Sequence, residues 1–550
     1  MNYQKYFYIA LITLLSCLSG CSVFLKEDPK GYLTEQDFPH TYEGAVSLAL
    51  APYENWVNGG FIYGRFFLLW DSGTDDMSPI GRANDPVIRP FVLHNLTSDE
   101  QFSYTAVWTP LWKGVADCNR AIDIISRMEV GDITPEQKTE VIGEIRVQRA
   151  LYYYHLVRMW GDLPFVDRPL NQMNELENDK IERVSAIKIY EDLIIPDLEY
   201  GYEYCPDFYP SSFAGRMTKT SAAVLLSDVC LTMAGWRYTS QGNLLKGDNA
   251  YLKLAEEWAL KALNNKGGFD LYTVDDTNQG DAAWLPWRNP FSKESVVEFG
   301  NMSGFGTGQQ GEGLTVVTDA MFLGGTDFWG TNVPQYEGAA RGLYIPTPDL
   351  WRAFEEGDQR KTHTMLIKTL KANGDSAYSI PLYHKLLDPK IYKGESGFQH
   401  SDGDNNIVLY RIADAILNYA EASNEINGPT AEAIFQINRL RTRAGLTALV
   451  ASDLDQDSFR DAIWQERRVE LNGEGKRKFD LIRTNRLKQL ADGRDLYYHS
   501  SDNPEWKGSG ERENILINFV CLPYPQHEYL WPIPRPEMTL HPNWKQNYGY

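Results

Sequence analysis

The segment at residues 144–164 reads EIRVQRALYYYHLVRMWGDLP and carries a clear helical pattern. Here and just upstream, apolar residues recur mostly one or two helical turns apart, at Val141, Ile145, Tyr152, Leu156 and Trp160. Spacings of four and seven residues place side chains on one face of an α-helix. We therefore predict a long helix that buries this face.

Four further segments show the same kind of pattern. They are residues 215–236, 251–262 and 409–420, and a helix that Thr430 would cap, with Ile434, Ile437 and Leu440 inside it. Long helices in pairs that are joined by short polar turns are typical of tetratricopeptide-type helical hairpins. The sequence therefore predicts a mainly α fold.

Two regions lack sustained periodicity, residues 50–94 and residues 271–399. Both are rich in Gly, Pro, Asp and aromatic residues, and they contain short strand-like runs such as residues 295–299. Loops of this length inside a compact protein are usually functional. We predict a helical scaffold that is covered by two irregular inserts.

The charge of the chain argues against nucleic acid as a partner. The 53 Lys and Arg residues are outnumbered by 74 Asp and Glu residues, which gives a net charge of −21. Such a surface repels phosphate backbones. The hydrophobic share of 43% is that of a globular protein and not of a disordered chain.

The first twenty residues are predicted to be an export signal. Lys5 precedes an apolar run at residues 6–18 that is too short to span a bilayer. The run leads to Leu18-Ser19-Gly20-Cys21, which is typical of a lipoprotein signal, whereas Cys17 is a weaker alternative. We expect a lipid on Cys21 and attachment to the membrane by this anchor alone, because no later run has the roughly 18 apolar residues of a membrane helix.

The sequence offers no recognisable catalytic or metal-binding motif. Cys118, Cys205, Cys230 and Cys521 fit no zinc spacing, and their disulfide state is left open. There is no His-x-x-x-His pair and no Gly-x-Ser-x-Gly elbow. We expect no cofactor, no metal and no catalytic residue.

Five stretches, taken together and in order, resemble the SusD/RagB family of Bacteroidetes-type surface lipoproteins. They are Phe24–Pro29 with Leu33–Phe38, Glu144–Pro164, Gly215–Lys219, Arg411–Ala422, and a last group comprising Glu466–Leu471, Glu474–Arg477, Phe479–Leu481 and Leu530–Pro534. Each stretch is weak alone, but their order across nearly the whole mature chain makes the match specific. One departure is Lys476, where the family often has His.

The resemblance implies a fold, a partner and a ligand class. It implies four tetratricopeptide-like helical hairpins, with the irregular inserts forming the ligand face, docked on a SusC-like TonB-dependent outer-membrane transporter. The expected ligands are glycans or, in some members, peptides. We expect residues 1–20 to be the signal peptide, with 21–270 and 271–550 as the N- and C-terminal parts of one compact unit.

Three glutamates in the last of these stretches admit two interpretations. Glu466, Glu470 and Glu474 are spaced by four residues and lie beside Arg467, Arg468 and Arg477. They resemble a catalytic carboxylate pair, but carboxylates on one helix face the same way and do not bracket a sugar. We predict an ion-pair network at a helix corner.

The predicted ligand surface lies on the two irregular regions. Their aromatic rings suit the apolar face of a sugar, and their polar side chains suit its hydroxyls. The predicted binding residues are Trp70, Asp71, Asp75, Asp76, Arg82, Asn84, Trp284, Trp287, Trp329 and Tyr336. The alternative is that most of these rings pin the loops to the scaffold.

Three functions remain open at this stage. A glycan receptor is favoured by the aromatic loops. A peptide receptor would use backbone pairing and a less aromatic cleft. A surface glycoside hydrolase would need two carboxylates about 5–10 Å apart, contributed by separate segments.

Overall fold

The computed structural model describes seventeen ranges of the 550-residue chain. They are residues 39–57, 70–78, 89–100, 103–129, 131–170, 181–276, 282–300, 325–326, 332–333, 345–370, 376–383, 385, 406–495, 497–499, 501–502, 514–516 and 523–550. The predicted signal peptide, Cys17, Cys21 and Cys521 lie outside these residues.

Helices make up most of the described chain. The α-helices are α1 (Tyr42–Leu50), α2 (Glu54–Val57), α3 (Arg89–Leu93), α4 (Thr109–Arg127), α5 (Pro135–Trp160), α6 (Ala186–Ile189), α7 (Ile195–Tyr204), α8 (Lys219–Ala234), α9 (Ala250–Leu263), α10 (Pro348–Ala353), α11 (Arg360–Thr364), α12 (Ile412–Asn427), α13 (Ala431–Arg443), α14 (Gln456–Glu470), α15 (Arg477–Arg483), α16 (Leu487–Gly493) and α17 (Arg535–Leu540). Short 3₁₀ helices lie at Ala51–Tyr53, Ser211–Phe213, Val274–Asp276, Ala282–Trp287, Ala451–Asp453 and Gln526–Tyr529, and π-helical turns at Tyr104–Trp108 and Tyr190–Ile194.

The described strands are short and form antiparallel pairs. They are β1 (Met77–Ser78), β2 (Leu163–Pro164), β3 (Arg183–Val184), β4 (Trp236–Tyr238), β5 (Leu244–Lys246), β6 (Ser295–Phe299), β7 (Gly325–Thr326), β8 (Asn332–Val333), β9 (Ile345–Pro346), β10 (Met365–Leu370), β11 (Ser376–Tyr383), β12 (Ile407–Arg411), β13 (Tyr497–His499) and β14 (Asn514–Leu516). The pairs are β1–β9, β2–β3, β4–β5, β6–β12, β7–β8, β10–β11 and β13–β14.

The residues at the two ends of α5, the longest of the described helices, determine where this helix begins and ends. The Thr134 hydroxyl accepts from the Gln137 backbone while the Gln137 side chain accepts from Thr134 N–H, a capping box that starts the helix. Gly161, at φ +75°, ends it, because this backbone conformation favours glycine. Tyr152 is buried and stacks on Trp56 with ring centroids 4.0 Å apart. The predicted helix is confirmed.

Consecutive helices pack against one another. Helix α4 packs on α5, α5 on α7, α7 on α8, and α8 on α9. Helix α9 then contacts α12, which packs against α13 and α14. Each segment that showed helical periodicity contains a helix, although Leu409 lies on strand β12 and Trp236 on strand β4. The predicted mainly α fold of packed hairpins is confirmed.

One large hydrophobic cluster contains residues from both predicted parts of the chain. It runs from Ala45 through the middle of α5 and α8 to Trp544. The division at residue 270 stays a prediction. Cys118, Cys205 and Cys230 are buried free thiols, and their burial raises the pKa of each.

Candidate functional site

The two irregular regions meet in the structure. Strand β1, in the first region, pairs with β9, in the second, so that Met77 faces Pro346 and Ser78 faces Ile345. The Tyr383 hydroxyl, on β11, donates to the Asp76 carbonyl at 2.9 Å. Thus the segment 70–78 is tied to the second region by backbone pairing and side-chain contacts.

Trp70 lies inside the protein and not on its surface. Its side chain is only 2% exposed. The ring centroid is 5.1 Å from that of His155 on α5 and 5.6 Å from that of Phe479 on α15. Trp70 therefore pins its segment to the scaffold, which is the alternative that the sequence left open.

Asp75 and Asp76 form buried ion pairs with helices of the C-terminal part. Arg477 donates to both carboxylate oxygens of Asp75, at 3.0 and 2.7 Å. Arg468 Nε donates to Asp76 Oδ1 at 2.6 Å. Burial alone would raise the pKa of Asp75, but the charges of Arg477 and Arg468 hold that pKa below its usual value.

Asp71 is buried, and within the described ranges no cation forms an ion pair with its carboxylate. It accepts a hydrogen bond from the backbone N–H of Lys478 at 3.3 Å. Burial, and after it the charge of Asp76, raise the pKa of Asp71 to about 8. At neutral pH this carboxyl is therefore mostly protonated.

These placements correct the predicted ligand surface. Trp70, Asp71, Asp75 and Asp76 are all buried, so they form no exposed surface in this structure. Trp70 is packed in the core, Asp75 and Asp76 are in ion pairs, and Asp71 accepts a backbone hydrogen bond. The physical reason is that guanidinium groups of α14 and α15 satisfy the aspartates that would otherwise face solvent. Four predicted residues, Arg82, Asn84, Trp329 and Tyr336, lie outside the described residues.

The remaining two predicted aromatics are half-buried. Trp284 and Trp287 lie on the 3₁₀ helix Ala282–Trp287. The Arg288 guanidinium lies 4.0 Å from the Trp284 ring centroid, and the His363 ring, on α11, lies 5.4 Å from it. Thus Trp284 is a half-buried indole with a guanidinium and an imidazole ring close to it.

Trp287 has a different setting from Trp284. Lys385 Nζ is 5.2 Å and the Arg411 guanidinium 5.8 Å from its ring centroid. Both cations are buried. Trp287 therefore packs beside a buried charge network, whereas Trp284 contacts Arg288 and His363.

That network contains the three glutamates of α14 and the turn after it. Arg411 Nη1 lies 2.6 Å from Glu470, and Arg411 Nη2 lies 2.8 Å from Glu474. Arg360 pairs with Glu470 at 2.8 Å and with Glu466. The predicted ion-pair network is confirmed.

The arginines that lie beside these three glutamates in sequence are not their ion-pair partners. Arg467 pairs with Asp480 at 2.9 Å, Arg468 with Asp76 at 2.6 Å, and Arg477 with Asp75 at 2.7 Å. Burial favours a raised pKa for Glu474, but Arg411 and Lys385 lower it to about 2. A carboxylate held in this way carries no proton for acid catalysis at neutral pH.

Sequence reasoning missed Arg288 and His363 as neighbours of Trp284. Arg288 follows Trp284 by four residues on the same short segment, so the sequence does carry a signal for this neighbour. His363 carries no such signal, because only the packing of α11 against the 3₁₀ helix brings it close. The part of the chain that the structure describes holds no cluster of three metal-ligating side chains.

Within the ranges given above, no helix is both long enough and apolar enough to cross a bilayer.

The architecture belongs to the class of SusD superfamily structures. The SusD homolog from Bacteroides thetaiotaomicron superposes with a TM-score of 0.75 at 22% identity, over 94% of this chain and 98% of that one. Surface glycan-binding protein A from Bacteroides thetaiotaomicron, in complex with laminarihexaose, has a TM-score of 0.67 at 18% identity, over 92% of this chain and 99% of that one.

Sequence comparison agrees with the fold. The SusD family model matches residues 315–550, and a model described as "Starch-binding associating with outer membrane" matches residues 71–231. SusD-like protein P25 of Formosa agariphila is 26% identical over 94% of this chain and 95% of its own length. The chain belongs to the SusD-like family.

Proposed function

We propose that this protein is a cell-surface lipoprotein that binds oligosaccharides or polysaccharides and passes them to a SusC-like TonB-dependent transporter. It acts as a receptor and not as an enzyme. The observation that carries this proposal is the likeness to surface glycan-binding protein A, in complex with laminarihexaose, over 92% of the chain.

The setting of Trp284 supports a sugar contact on this chain. One face of a sugar ring is made of C–H groups, which pack on an aromatic ring, while its hydroxyls need hydrogen-bond partners. Arg288 and His363 lie close to the indole, and both side chains carry nitrogen atoms of the kind that bond sugar hydroxyls. The ring is held by its neighbours, so its ordering adds little cost on binding.

The proposed lipid anchor and the proposed transporter partner are supported by different arguments. The Leu18-Ser19-Gly20-Cys21 motif supports lipid attachment at Cys21, and a matching family model carries a description that includes the outer membrane. A lipid anchor by itself gives a captured glycan no route across the membrane, so a partner that forms a channel is required. In this proposal the receptor covers such a channel and opens to admit ligand.

The binding claim is tested by affinity electrophoresis through gels that contain single polysaccharides, laminarin among them. The wild type is expected to be retarded by at least one of them. Trp284→Ala is expected to bind it roughly tenfold more weakly. The matched control is Trp464→Ala, because Trp464 is also half-buried beneath an arginine, Arg486 at 4.2 Å.

Three outcomes would contradict parts of this proposal. Equal weakening in both variants would mean that loss of any such ring has a general effect and that Trp284 makes no glycan contact. Release of labelled sugar products by the purified wild type would identify a hydrolase. Retention of peptides but of no polysaccharide would identify a peptide receptor.

Localisation and partnership need a test in cells. Cys21→Ala should move the protein from the membrane fraction to the soluble fraction, whereas Cys17→Ala should not. Wild-type protein purified in mild detergent should bring a large TonB-dependent barrel with it. Repeated purification without such a barrel would contradict the transport role.

A further inference from the structure

A groove of about 460 Å³ shares no lining residue with the 3₁₀ helix that carries Trp284. Its walls are the start of the β2–β3 pair, the turn between β4 and β5, and the segment 541–550. The lining residues are Asp162, Ile181, Glu182, Arg183, Ser240, Gln241, Asn543, Trp544, Lys545, Gln546 and Tyr548. Small-molecule sites in proteins typically have volumes of roughly 300–1,000 Å³, so this groove is large enough to hold a sugar unit.

Arg183 holds the walls of the groove together. Its Nε donates to the Asp162 carbonyl at 2.7 Å, and its Nη2 donates to Asn547 Oδ1 at 2.6 Å. Its Nη1 donates to the Lys545 carbonyl. Asn547 in turn donates to the carbonyls of Trp160 and Trp531, at 3.0 and 2.7 Å. These bonds fix the backbone of the groove before any ligand arrives.

The indole of Trp544 adds a second fixed point. It stacks on His541 with centroids 4.2 Å apart and planes 13° from parallel. Its Nε1–H donates to the Ile181 carbonyl at 2.7 Å. Thus hydrogen bonds join the segment 541–550 to Ile181 and Arg183 at the β2–β3 pair, and its exposed side chains extend from this bonded backbone.

Tyr548 presents an aromatic ring at this groove. The side chain is 62% exposed, which is unusual for a tyrosine held by its backbone. Its N–H donates to the Ser240 carbonyl at 2.9 Å. The ring rests over Gly242, where an added Cβ would come within 2.5 Å of it. One side of the ring is therefore supported, and the rest of it faces solvent at the groove.

The rim carries polar side chains with unused hydrogen-bonding capacity. In the described part of the chain, the side chains of Glu182, Asn543 and Lys545 are exposed and make no hydrogen bond. Gln241 donates its amide to Asp162 Oδ2 at 3.1 Å, which leaves its carbonyl oxygen available. Carboxylate, amide and ammonium groups together offer both donors and acceptors to sugar hydroxyls.

We propose that this groove is a second carbohydrate-binding site, which stacks a neutral sugar on Tyr548 and bonds its hydroxyls through Glu182, Asn543 and Lys545. It rests on the proposed glycan-binding function and shares no residue with the Trp284 surface. One carboxylate and one ammonium on the rim balance each other. The net charge of −21 on the chain further disfavours polyanionic glycans.

Two sites on one receptor have a functional consequence. A long polysaccharide that contacts both sites binds more tightly than a short oligosaccharide that reaches one, because the second contact is intramolecular. Loss of Tyr548 should therefore weaken binding of a polymer. Trp284→Ala and Tyr548→Ala together should weaken it more than either change alone.

The experiment uses the full mature chain and a polysaccharide that retards the wild type in the gel panel. Tyr548→Ala should weaken binding roughly three- to tenfold, while Tyr548→Phe, which keeps the ring, should stay within about twofold of the wild type. Asn543→Ala with Lys545→Ala should also weaken binding without touching the ring. Unchanged melting temperatures would show that all variants are folded.

The outcomes separate this proposal from the previous one. If the wild type binds but Tyr548→Ala and the Asn543/Lys545 double variant bind equally well, the second site is overturned and the receptor function stands. If Trp284→Ala alone abolishes all binding of the polymer, the second site is likewise overturned. If no polysaccharide of the panel retards the wild type, both proposals fail together.

Discussion

Segments 70–78 and 282–288 both contain tryptophan and lie in regions that lack helical periodicity, but they differ in placement. The first segment is mostly polar, whereas the second is mostly apolar and ends in Arg288. The first is buried, with Asp75 and Asp76 paired to arginines of α14 and α15. In the second, Trp284 is half-buried. The presence of tryptophan in such a region therefore does not by itself distinguish a ligand surface from a loop that is fixed to its scaffold.

The largest difference in stability is expected between the variants Trp70→Ala and Trp284→Ala. Trp70→Ala should lower the free energy of unfolding by about 3–5 kcal/mol, because it removes a large ring from the core beside His155 and Phe479. Trp284→Ala should lower it by about 1 kcal/mol or less. Urea denaturation of both variants measures the difference. Equal losses would mean that the two segments serve the same structural purpose.

The next largest loss of stability is expected from breaking the ion pair between Arg477 and the buried Asp75. Arg477→Ala leaves Asp75 buried and short of its bidentate partner, and should cost about 3 kcal/mol of stability. The matched control is Lys188→Ala, which breaks an exposed pair with Asp192 and should cost under about 1 kcal/mol. A small loss in Arg477→Ala would indicate that the segment 70–78 is held by its backbone pairing alone.

A smaller and pH-dependent effect is expected at Asp71. Its folded pKa of about 8 exceeds the ordinary value of 3.8, so the folded state binds more protons than the unfolded state between these values. Stability contributed by the protonated carboxyl is thus fully present below about pH 4 and is lost as the pH rises through 8. Asp71→Asn lacks this loss, so its melting temperature relative to the wild type should rise from pH 5 to pH 8. A constant difference would contradict the raised pKa.

The helical scaffold was predictable because its signals are local. Apolar residues such as Ile145 and Trp160 recur at helical spacing, and Thr430 caps α13 as expected. These features depend on neighbours within about one or two turns of the same helix. The same holds for the four-residue spacing of Glu466 and Glu470, which predicted an ion-pair network.

The placement of the ligand residues was not predictable in the same way. Asp75 and Asp76 find their partners at Arg477 and Arg468, which are 402 and 392 positions away along the chain. Nothing within the segment 70–78 indicates these contacts. His363 likewise reaches Trp284 only through tertiary packing. Because the burial of these side chains depends on partners that are distant in sequence, it can be determined only from the folded structure.

The most direct test of the account is hydrogen–deuterium exchange with and without a saturating polysaccharide that retards the wild type. Backbone amides in peptides that cover residues 282–288 should exchange more slowly in the bound protein, while those that cover residues 70–78 should not change. Protection at residues 70–78 with none at 282–288 would contradict the proposed division between a binding surface and a buried support.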